Sequence, residues 1–181
     1  HGQYEQYVFR QIKFFEGRTD FDAAYVKLMN PSGRYFKCSR ILRKSFYEGQ
    51  WRIADCEPYS IFLSQASYPV KGLHIFLRAF HMLKELVPEV KVYIGGQNIC
   101  AGNMNSPYGK YIKRMMKEYQ LEEQVCFLGA LGEKKMWEQF LKANVFVLPS
   151  VIENSPNSLA EAMILGVPCI AADVGGVSSM M

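Results

Sequence analysis

The distribution of apolar residues changes at residue 59. From there on, short apolar runs alternate with segments in which apolar residues recur every three or four positions, the spacing of an amphipathic helix. The pattern predicts strands at 60–65, 91–96, 124–129, 144–149 and 168–173, and helices at 71–86, 108–119, 133–143 and 155–165. Runs such as Val145–Leu148 are apolar throughout, which is typical of strands covered on both faces of a parallel sheet. We therefore predict a doubly wound α/β domain, which binds its ligands at the carboxyl ends of the strands.

Residues 1–58 do not share this alternation. Their pattern predicts a strand at 9–17, a helix at 20–29 with Asp20 as its N-cap, and a second helix at 38–47. A segment of this length is too short to bury a hydrophobic core of its own. We therefore expect residues 1–58 to be the end of a preceding domain with a linker, and residues 59–181 to be the ligand-binding domain, cut short at its C-terminal end.

Composition argues against several classes of protein. The net charge of +4 is spread along the chain, whereas a nucleic-acid-binding domain concentrates its basic residues, so we expect no nucleic-acid partner. Weak attraction of residues 1–58 to anionic lipid stays open. No apolar stretch has the length of a membrane-spanning helix. The cysteines are scattered as in proteins of a reducing cytosol, and Cys126 and Cys169 lie in apolar runs, where we expect buried core thiols.

Two carboxylates, Glu153 and Glu161, mark the most informative segment of the chain. Glu153 lies in a polar loop after a predicted strand, and Glu161 is the only charge on an otherwise apolar helix. A helix of this composition is expected to be buried, and a buried charge needs a partner. The hydroxyls of a ribose could be that partner. A solvated glutamate on a surface helix is the alternative interpretation.

The same helix begins with a candidate anion site. Ser155 as N-cap, followed by Pro156 at the first helical position, is a strong start signal. The backbone amides of Asn157 and Ser158 would then point outward at the positive end of the helix dipole, where phosphates bind. A well-capped helix that binds nothing is the alternative.

Two further motifs lie next to predicted strands. Lys71 opens the helix 71–86, a position that is unfavourable for a cation unless an anion binds there. A solvated lysine is the alternative. Gly95 and Gly96 end a strand, either as a tight turn or as a place where a ligand approaches the backbone. Their spacing differs from the dinucleotide fingerprint, in which three glycines recur in a fixed pattern.

Together these motifs resemble the C-terminal, donor-binding domain of GT-B-fold glycosyltransferases, in particular the large retaining class called glycosyltransferase family 4. The resemblance covers residues 59–181. It depends on Lys71-Gly72, on the strands that end at Gly96 and Gly129, and on the E-x7-E block that starts at Glu153. It implies an incomplete Rossmann-like domain with a doubly wound parallel sheet. It also implies a donor site without a bound metal, and the sequence has no metal-ligand motif.

The resemblance implies a role for each residue of the site. Lys71 would neutralise the donor diphosphate, which is the leaving group, and backbone amides around Asn157 and Ser158 would hold the same phosphates. Glu161 would bind the ribose hydroxyls, and Glu153 would lie beside the transferred sugar. Catalytic roles are therefore expected for Glu153 and Lys71. Donor-binding roles are expected for Gln65, Lys71, Gly95, Gly96, Phe127, Leu128, Gly129, Glu153, Asn154, Ser155, Asn157, Ser158 and Glu161, with Phe127–Gly129 near the base.

The chain departs from the family at the end of the first strand of this domain. The family usually places an arginine there, five or six residues before the lysine, and this chain has Gln65 and Ala66. Gln65 donates a hydrogen bond without a charge, and charge-assisted hydrogen bonds are roughly twice as strong as neutral ones. Arg18, which would come from the facing domain, is a candidate replacement cation.

On this basis we expect the full-length protein to transfer a hexose, with retention, from a nucleoside-diphosphate sugar to a glycan or lipid-linked acceptor. The product would be a surface polysaccharide or glycoconjugate. A catalytically inactive nucleotide-binding or interaction module is the alternative, and Gln65 favours it. Since most of the opposing domain is missing, this chain alone is expected to bind nucleotide without transferring sugar. We expect a cytoplasmic protein, either free or at the inner face of the membrane.

Overall fold

The computed structural model describes residues 2–101 and 106–181. By the contacts between its residues, the chain divides into two compact units. The small unit comprises the described residues up to Leu42 together with 152–156 and 173–181. The sheet unit comprises the described part of 43–151 together with 157–172. The predicted domain boundary at residue 58 stays a prediction about the whole protein, but within this chain residues 43–58 belong to the sheet unit.

The small unit contains short elements in the order α1 (Gly2–Gln11), β1 (Phe14–Gly17), α2 (Asp20–Met29) and β2 (Arg34–Lys37). Strands β1 and β2 pair in parallel. Helix α2 begins with a capping box, in which Thr19 Oγ1 accepts a hydrogen bond from the backbone N–H of Asp22 and the Asp22 carboxylate accepts one from that of Thr19. The helix predicted at 20–29 is therefore confirmed, with Thr19 instead of Asp20 as its N-cap.

The strand predicted at 9–17 is wrong over its first part, because α1 continues to Gln11. The segment before Gln11 is rich in Gln, Glu and Arg, which favour a helix. Phe9, the first residue of the predicted strand, lies in this helix, and its ring stacks on that of Phe15 in β1. The apolar side chain of Phe9 therefore reflects packing against β1 and not a local strand.

The helix predicted at 38–47 is also wrong. Arg43 has an extended backbone, and of that segment only Lys44–Tyr47 forms a short 3₁₀ helix. Phe46 is fully buried, with its ring edge-on to that of Phe140 in the sheet unit. Burying a phenylalanine is worth about 1.5–3 kcal/mol, enough to override a weak helix propensity.

The sheet unit contains the parallel sheet that the sequence predicts. Its strands are β3 (Ser60–Leu63), β4 (Lys91–Gly95), β5 (Val125–Gly129), β6 (Val145–Leu148) and β7 (Cys169–Ala171), and its helices are α3 (Leu73–Leu86), α4 (Pro107–Glu118), α5 (Glu133–Lys142) and α6 (Asn157–Leu165). The strands lie in the order β5-β4-β3-β6-β7, and each neighbouring pair is parallel. This confirms the predicted α/β fold class, since the limits of these strands and helices agree with the pattern to within two residues.

Both faces of the sheet are covered. Ile61 and Leu63 of β3 belong to a core cluster that also contains buried residues of α3 and α4. Phe62, between them, points the other way and meets Phe140 of α5 with ring centroids 5.1 Å apart. Phe146 of β6 packs on the same Phe140 ring, also at 5.1 Å. The continuous apolar runs therefore reflect burial on two faces, as the sequence predicts.

The cysteines only partly follow the sequence prediction. Cys169 is half-buried, and burial raises the pKa of its thiol to about 11. Cys126, expected in the core, is exposed. It lies on the edge strand β5, next to the buried Val125, so its side chain points to the opposite face of the sheet and is exposed at this edge.

Alkylation is expected to separate these thiols. With iodoacetamide at pH 8, Cys38 and Cys126 should react first, because both are exposed. Cys169 should react on the order of 100-fold more slowly, because its raised pKa leaves little thiolate. Peptide mass spectrometry over a time course measures the rates, and the same reaction in 8 M urea is the control in which they should converge. Fast labelling of Cys169 in the folded protein would contradict its burial.

The helices in residues 2–101 and 106–181 are short compared with the thickness of a membrane. A bilayer-spanning helix needs about 20 predominantly apolar residues. Helix α3 has 14 residues, and none of the described helices is long and apolar enough to cross a membrane.

Candidate functional site

The carboxyl edge of the sheet brings together predicted site residues from three strands. The N–H of Gly96, just after β4, donates to the carbonyl oxygen of Gly129, the last residue of β5, at 2.8 Å. Gly96 has a φ of +89°, and a Cβ built on it would lie 3.4 Å from Cγ of Gln65, which follows β3. Gly95 lies against the backbone of Ser64, with a Cβ position 2.6 Å from the Ser64 carbonyl oxygen. The glycines therefore let three strand ends approach closely.

The segment predicted to contact the base lies on β5. Phe127 is half-buried and packs against the core cluster, opposite Ile94 of β4. Leu128 is half-buried as well, and Gly129 has a φ of +72° with open space where a Cβ would stand. The Phe127 side chain therefore serves the core, and the open space lies beside the backbone of Gly129.

The Lys71-Gly72 loop is attached to the end of β6. Residues Pro69–Lys71 form a 3₁₀ turn, and α3 begins at Leu73 instead of Lys71. Gly72 has a φ of +73°, and a Cβ there would overlap the carbonyl oxygen of Pro149. The N–H of Val151 donates to the carbonyl of Val70 at 2.8 Å. Half-buried Lys71 is thereby held beside the strand that leads to the E-x7-E motif.

Glu161 is buried in α6, with 4% of the residue exposed. Its two carboxylate oxygens accept from Arg43, Nε to Oε1 at 2.8 Å and Nη2 to Oε2 at 2.7 Å. Hydrogen bonding to Glu161 raises the pKa of Arg43, against the opposing effect of partial burial. The sequence predicted that a buried Glu161 needs a partner, but it did not identify Arg43, which is 118 residues away.

The segment around Arg43 is itself fixed to the helices. The Arg43 guanidinium lies 4.5 Å from the ring centroid of buried Phe46. Ser45 Oγ donates to Glu133 at the start of α5, at 2.6 Å. The N–H of Trp51 donates to the carbonyl of Leu165 at the end of α6, at 2.7 Å. Arg43 is thus anchored on both α5 and α6.

The first half of the motif lies in the small unit. The N–H of Gly176 donates to the carbonyl of Glu153 at 3.0 Å, and Gly175, with a φ of +55°, packs against the same carbonyl. Asn154 accepts from Thr19 Oγ1 at 2.7 Å and donates to Asp22 Oδ1 at 2.8 Å. Its side-chain amide is therefore used within the protein.

The unit division runs through the E-x7-E motif. Glu153, Asn154 and Ser155 belong to the small unit, whereas Asn157, Ser158 and Glu161 belong to the sheet unit. The predicted start with Ser155 as N-cap and Pro156 as first helical residue is one residue too early, because helix α6 begins at Asn157. Arg18, the candidate replacement cation, is half-buried in the small unit, where its N–H donates to Asp22 Oδ2 at 2.8 Å. The predicted donor-binding roles of these residues stay predictions.

Two cavities lie beside Trp137, and neither contains a predicted donor-binding residue. One, of about 480 Å³, is lined by Ser45, Glu48, Glu133, Lys134 and Trp137. The other, of about 210 Å³, is lined by Gln50, Arg52, Asp55, Trp137, Glu138, Leu141 and Lys142. In the part of the chain that the structure describes, no group of three or more His, Cys, Asp or Glu residues could hold a metal ion.

Known proteins resemble this chain in sequence and in fold. The family model described as glycosyl transferases group 1 matches residues 44–181. The Vi polysaccharide biosynthesis protein VipC/TviE of Salmonella typhi is 44% identical over 54 residues, which is 30% of this chain and 9% of that protein. The first curated relatives are 28% identical over 59–61% of this chain, and the chain spans between 24% and 27% of their length.

Solved structures share the fold. The sucrose-phosphate synthase of Thermosynechococcus elongatus superposes with a TM-score of 0.75 at 20% identity, covering 96% of this chain and 44% of that one. The pneumococcal O-GlcNAc transferase GtfA, in complex with UDP and GlcNAc, superposes with a TM-score of 0.71 at 17% identity, covering 95% and 33%. At these identities the likeness establishes the α/β fold alone.

Proposed function

The chain belongs to the glycosyl transferases group 1 family, and we propose that its sheet unit binds the nucleoside-diphosphate-sugar donor of a glycosyltransferase. The observation that carries this proposal is the meeting of Gln65, Gly96 and Gly129 at the carboxyl edge of the parallel sheet. Sheets of this kind bind nucleotides at that edge. The UDP in the complex of the pneumococcal relative supports a nucleoside diphosphate as the ligand class.

The diphosphate would bind between Lys71 and the start of α6. Lys71 is held beside the end of β6 by the backbone contacts of Gly72 and Val151. Helix α6 follows β6 and presents the N–H groups of Asn157 and Ser158 at its positive end. A lysine and the positive end of a helix together compensate the negative charge of a leaving diphosphate. On that basis we propose that transfer needs no bound metal.

The whole protein would transfer a hexose with retention. The bond between the anomeric carbon and the diphosphate breaks, and a bond from that carbon to the acceptor oxygen forms on the same face of the sugar. The proton of the acceptor hydroxyl passes to the departing diphosphate. Glu153 would orient the sugar or stabilise positive charge at its anomeric carbon. The acceptor would be a glycan or a lipid-linked glycan in surface polysaccharide synthesis. The name of the Salmonella typhi relative, a Vi polysaccharide biosynthesis protein, supports polysaccharide synthesis.

A catalytically inactive nucleotide-binding or interaction module is the second candidate. The observation that favours it is Gln65, an exposed neutral side chain at a strand end where the family usually has an arginine. Incubating the full-length protein with radiolabelled sugar nucleotides and a membrane extract separates the two candidates. Labelled polymer or lipid supports transfer, and nucleotide binding without labelled product supports the inactive module.

Nucleotide titration tests the donor site directly. In calorimetry of this chain with UDP, GDP and ADP, we expect at least one to bind. Glu161→Ala should weaken that binding at least tenfold, because hydrogen bonds to a charged group contribute about 1.5–3 kcal/mol. Glu153→Ala should change the affinity for the bare nucleoside diphosphate less than threefold, because this ligand carries no sugar.

The control is Glu138→Ala, an α5 glutamate beside Trp137 and outside the predicted donor-binding residues, which should leave the titration unchanged. Failure of all three nucleotides to bind the unsubstituted chain would refute the donor-domain proposal. Equal losses from Glu153→Ala and Glu161→Ala would refute the division of roles between the two glutamates.

A further inference from the structure

We propose that Arg43 is a positioning residue for nucleotide recognition: its guanidinium holds the Glu161 carboxylate in the orientation in which it accepts hydrogen bonds from the ribose hydroxyls. This inference rests on the proposed function, because it takes ribose as the ligand of Glu161. Arg43 itself does not contact the ribose. It acts through the two hydrogen bonds of 2.8 and 2.7 Å that it donates to the carboxylate.

The number of acceptor sites on the carboxylate supports this role. An ionised carboxylate has about four lone-pair sites on its two oxygens. The arginine fork uses one site on each oxygen, since Nε donates to Oε1 and Nη2 to Oε2. About two sites remain, the number that the two hydroxyls of a ribose need.

Burial makes the orientation of Glu161 decisive. The Glu161 side chain is 6% exposed, whereas that of Arg43 is 37% exposed. A ligand therefore meets only a narrow edge of the carboxylate, and a rotation of the group would turn its remaining lone pairs into the protein. A bidentate arginine prevents this rotation, whereas a single-point contact does not.

Arg43 is suited to this role because it is held from two further directions. Its guanidinium lies over the Phe46 ring, 4.5 Å from the centroid. Glu133, at the start of α5, is the second carboxylate near it, and its negative charge favours the charged guanidinium. Glu133 in turn accepts from Ser45 Oγ at 2.6 Å. The arginine is thus pre-ordered before any ligand binds.

The proposal is tested by the ratio of the affinities for a ribose-containing and a dideoxyribose-containing ligand. Affinities of this chain are measured for the nucleoside diphosphate that binds and for its 2′,3′-dideoxy counterpart. For the unsubstituted chain we expect a ratio of at least tenfold, because the dideoxy ligand leaves the two remaining acceptor sites of a buried carboxylate without hydrogen bonds. Arg43→Lys should reduce the ratio to about twofold, and affinity for the dideoxy ligand should stay within twofold. Lysine keeps the charge but offers a point contact in place of the planar fork.

Arg52→Lys is the matched control. Arg52 also donates to a carboxylate through Nε, to Asp55 at 2.8 Å, but this pair is exposed and the substitution should leave the ratio unchanged. Arg43→Gln is a second variant, which keeps a hydrogen-bond donor and removes the charge, and it should lower the ratio at least as far. Thermal unfolding of each variant shows that the folded protein is being titrated.

The outcomes separate this inference from the proposed function. A full ribose preference in folded Arg43→Lys or Arg43→Gln overturns the inference and leaves the donor site standing. Tighter ribonucleotide binding in these variants also overturns it, because Arg43 would then compete with the ribose. An equal loss for both ligands overturns it in favour of a purely structural arginine. If the unsubstituted chain binds no nucleoside diphosphate, the proposed function fails as well.

Discussion

Replacing Arg43 by methionine is expected to lower the free energy of unfolding by about 3 kcal/mol. The substitution leaves the Glu161 carboxylate buried, with 4% of the residue exposed, and removes both hydrogen bonds from its cation. Loss of one partner of a buried pair costs about 3–5 kcal/mol, and the partial exposure of Arg43 places this case at the lower end. For a protein of this size the loss is a large fraction of the total stability.

Urea unfolding followed by circular dichroism measures this effect. Arg52→Met is the matched control, because the Arg52–Asp55 pair is exposed on both sides, at 72% and 54%, and should contribute about 0–1 kcal/mol. The double variant Arg43→Met/Glu161→Leu should recover most of the loss, since it replaces both charges by apolar groups. If Arg43→Met and Arg52→Met cost the same, or if the double variant is no more stable than Arg43→Met alone, the buried pair does not have the energetic role described.

The substitution Gly72→Ala is expected to have the second large effect, a decrease of about 3–5 kcal/mol in the free energy of unfolding. The left-handed backbone at Gly72, with a φ of +73°, accounts for about 1–2 kcal/mol of this when a Cβ is present. The rest arises because that Cβ would overlap the carbonyl oxygen of Pro149. The loop and the end of β6 must then separate, which strains the hydrogen bond from Val151 to Val70.

Gly166→Ala separates these two contributions. Gly166, at the C-terminal end of α6, has a φ of +82°, but no atom lies within 4 Å of where its Cβ would stand. Gly166→Ala should therefore lower the free energy of unfolding only through its left-handed backbone conformation, by about 1–2 kcal/mol. Thermal and urea unfolding of the two variants give the comparison. Equal losses at both positions would show that Gly72 is required for its backbone conformation and not for the contact with Pro149. If the proposed donor site is correct, only Gly72→Ala should also weaken nucleotide binding, because only it displaces Lys71.

The sheet unit could be predicted well because its signals are local. The β3 residues Ser60–Leu63 are all buried, and a strand buried on both faces reads as a short apolar run whatever surrounds it. Helix α3 repeats its apolar residues at helical spacing, so its existence needs no knowledge of its neighbours. The apolar residues of each element are therefore enough to predict that it is buried.

The segment from 38 to 47 and the thiol of Cys126 could not be predicted in the same way. The backbone of Arg43 is extended, and the 3₁₀ helix that follows places Phe46 in the core against Phe140. No local sequence pattern predicts that contact. Cys126 is exposed because β5 is an edge strand. Strand order is a property of the assembled sheet, so an apolar run by itself does not show which of its faces is covered.

The order of apolar and polar residues along the chain was enough to predict the parallel α/β architecture, the family, and the requirement that a lone charge on the apolar helix α6 have a partner. The identity of this partner, Arg43, 118 residues away, could be found only in the folded protein. The same is true of the contact between Gly72 and Pro149, which holds Lys71 at the end of β6. Both features have one cause. Periodicity and helix capping depend on neighbours along the chain, whereas a buried ion pair and a backbone contact depend on which distant segments the core brings together.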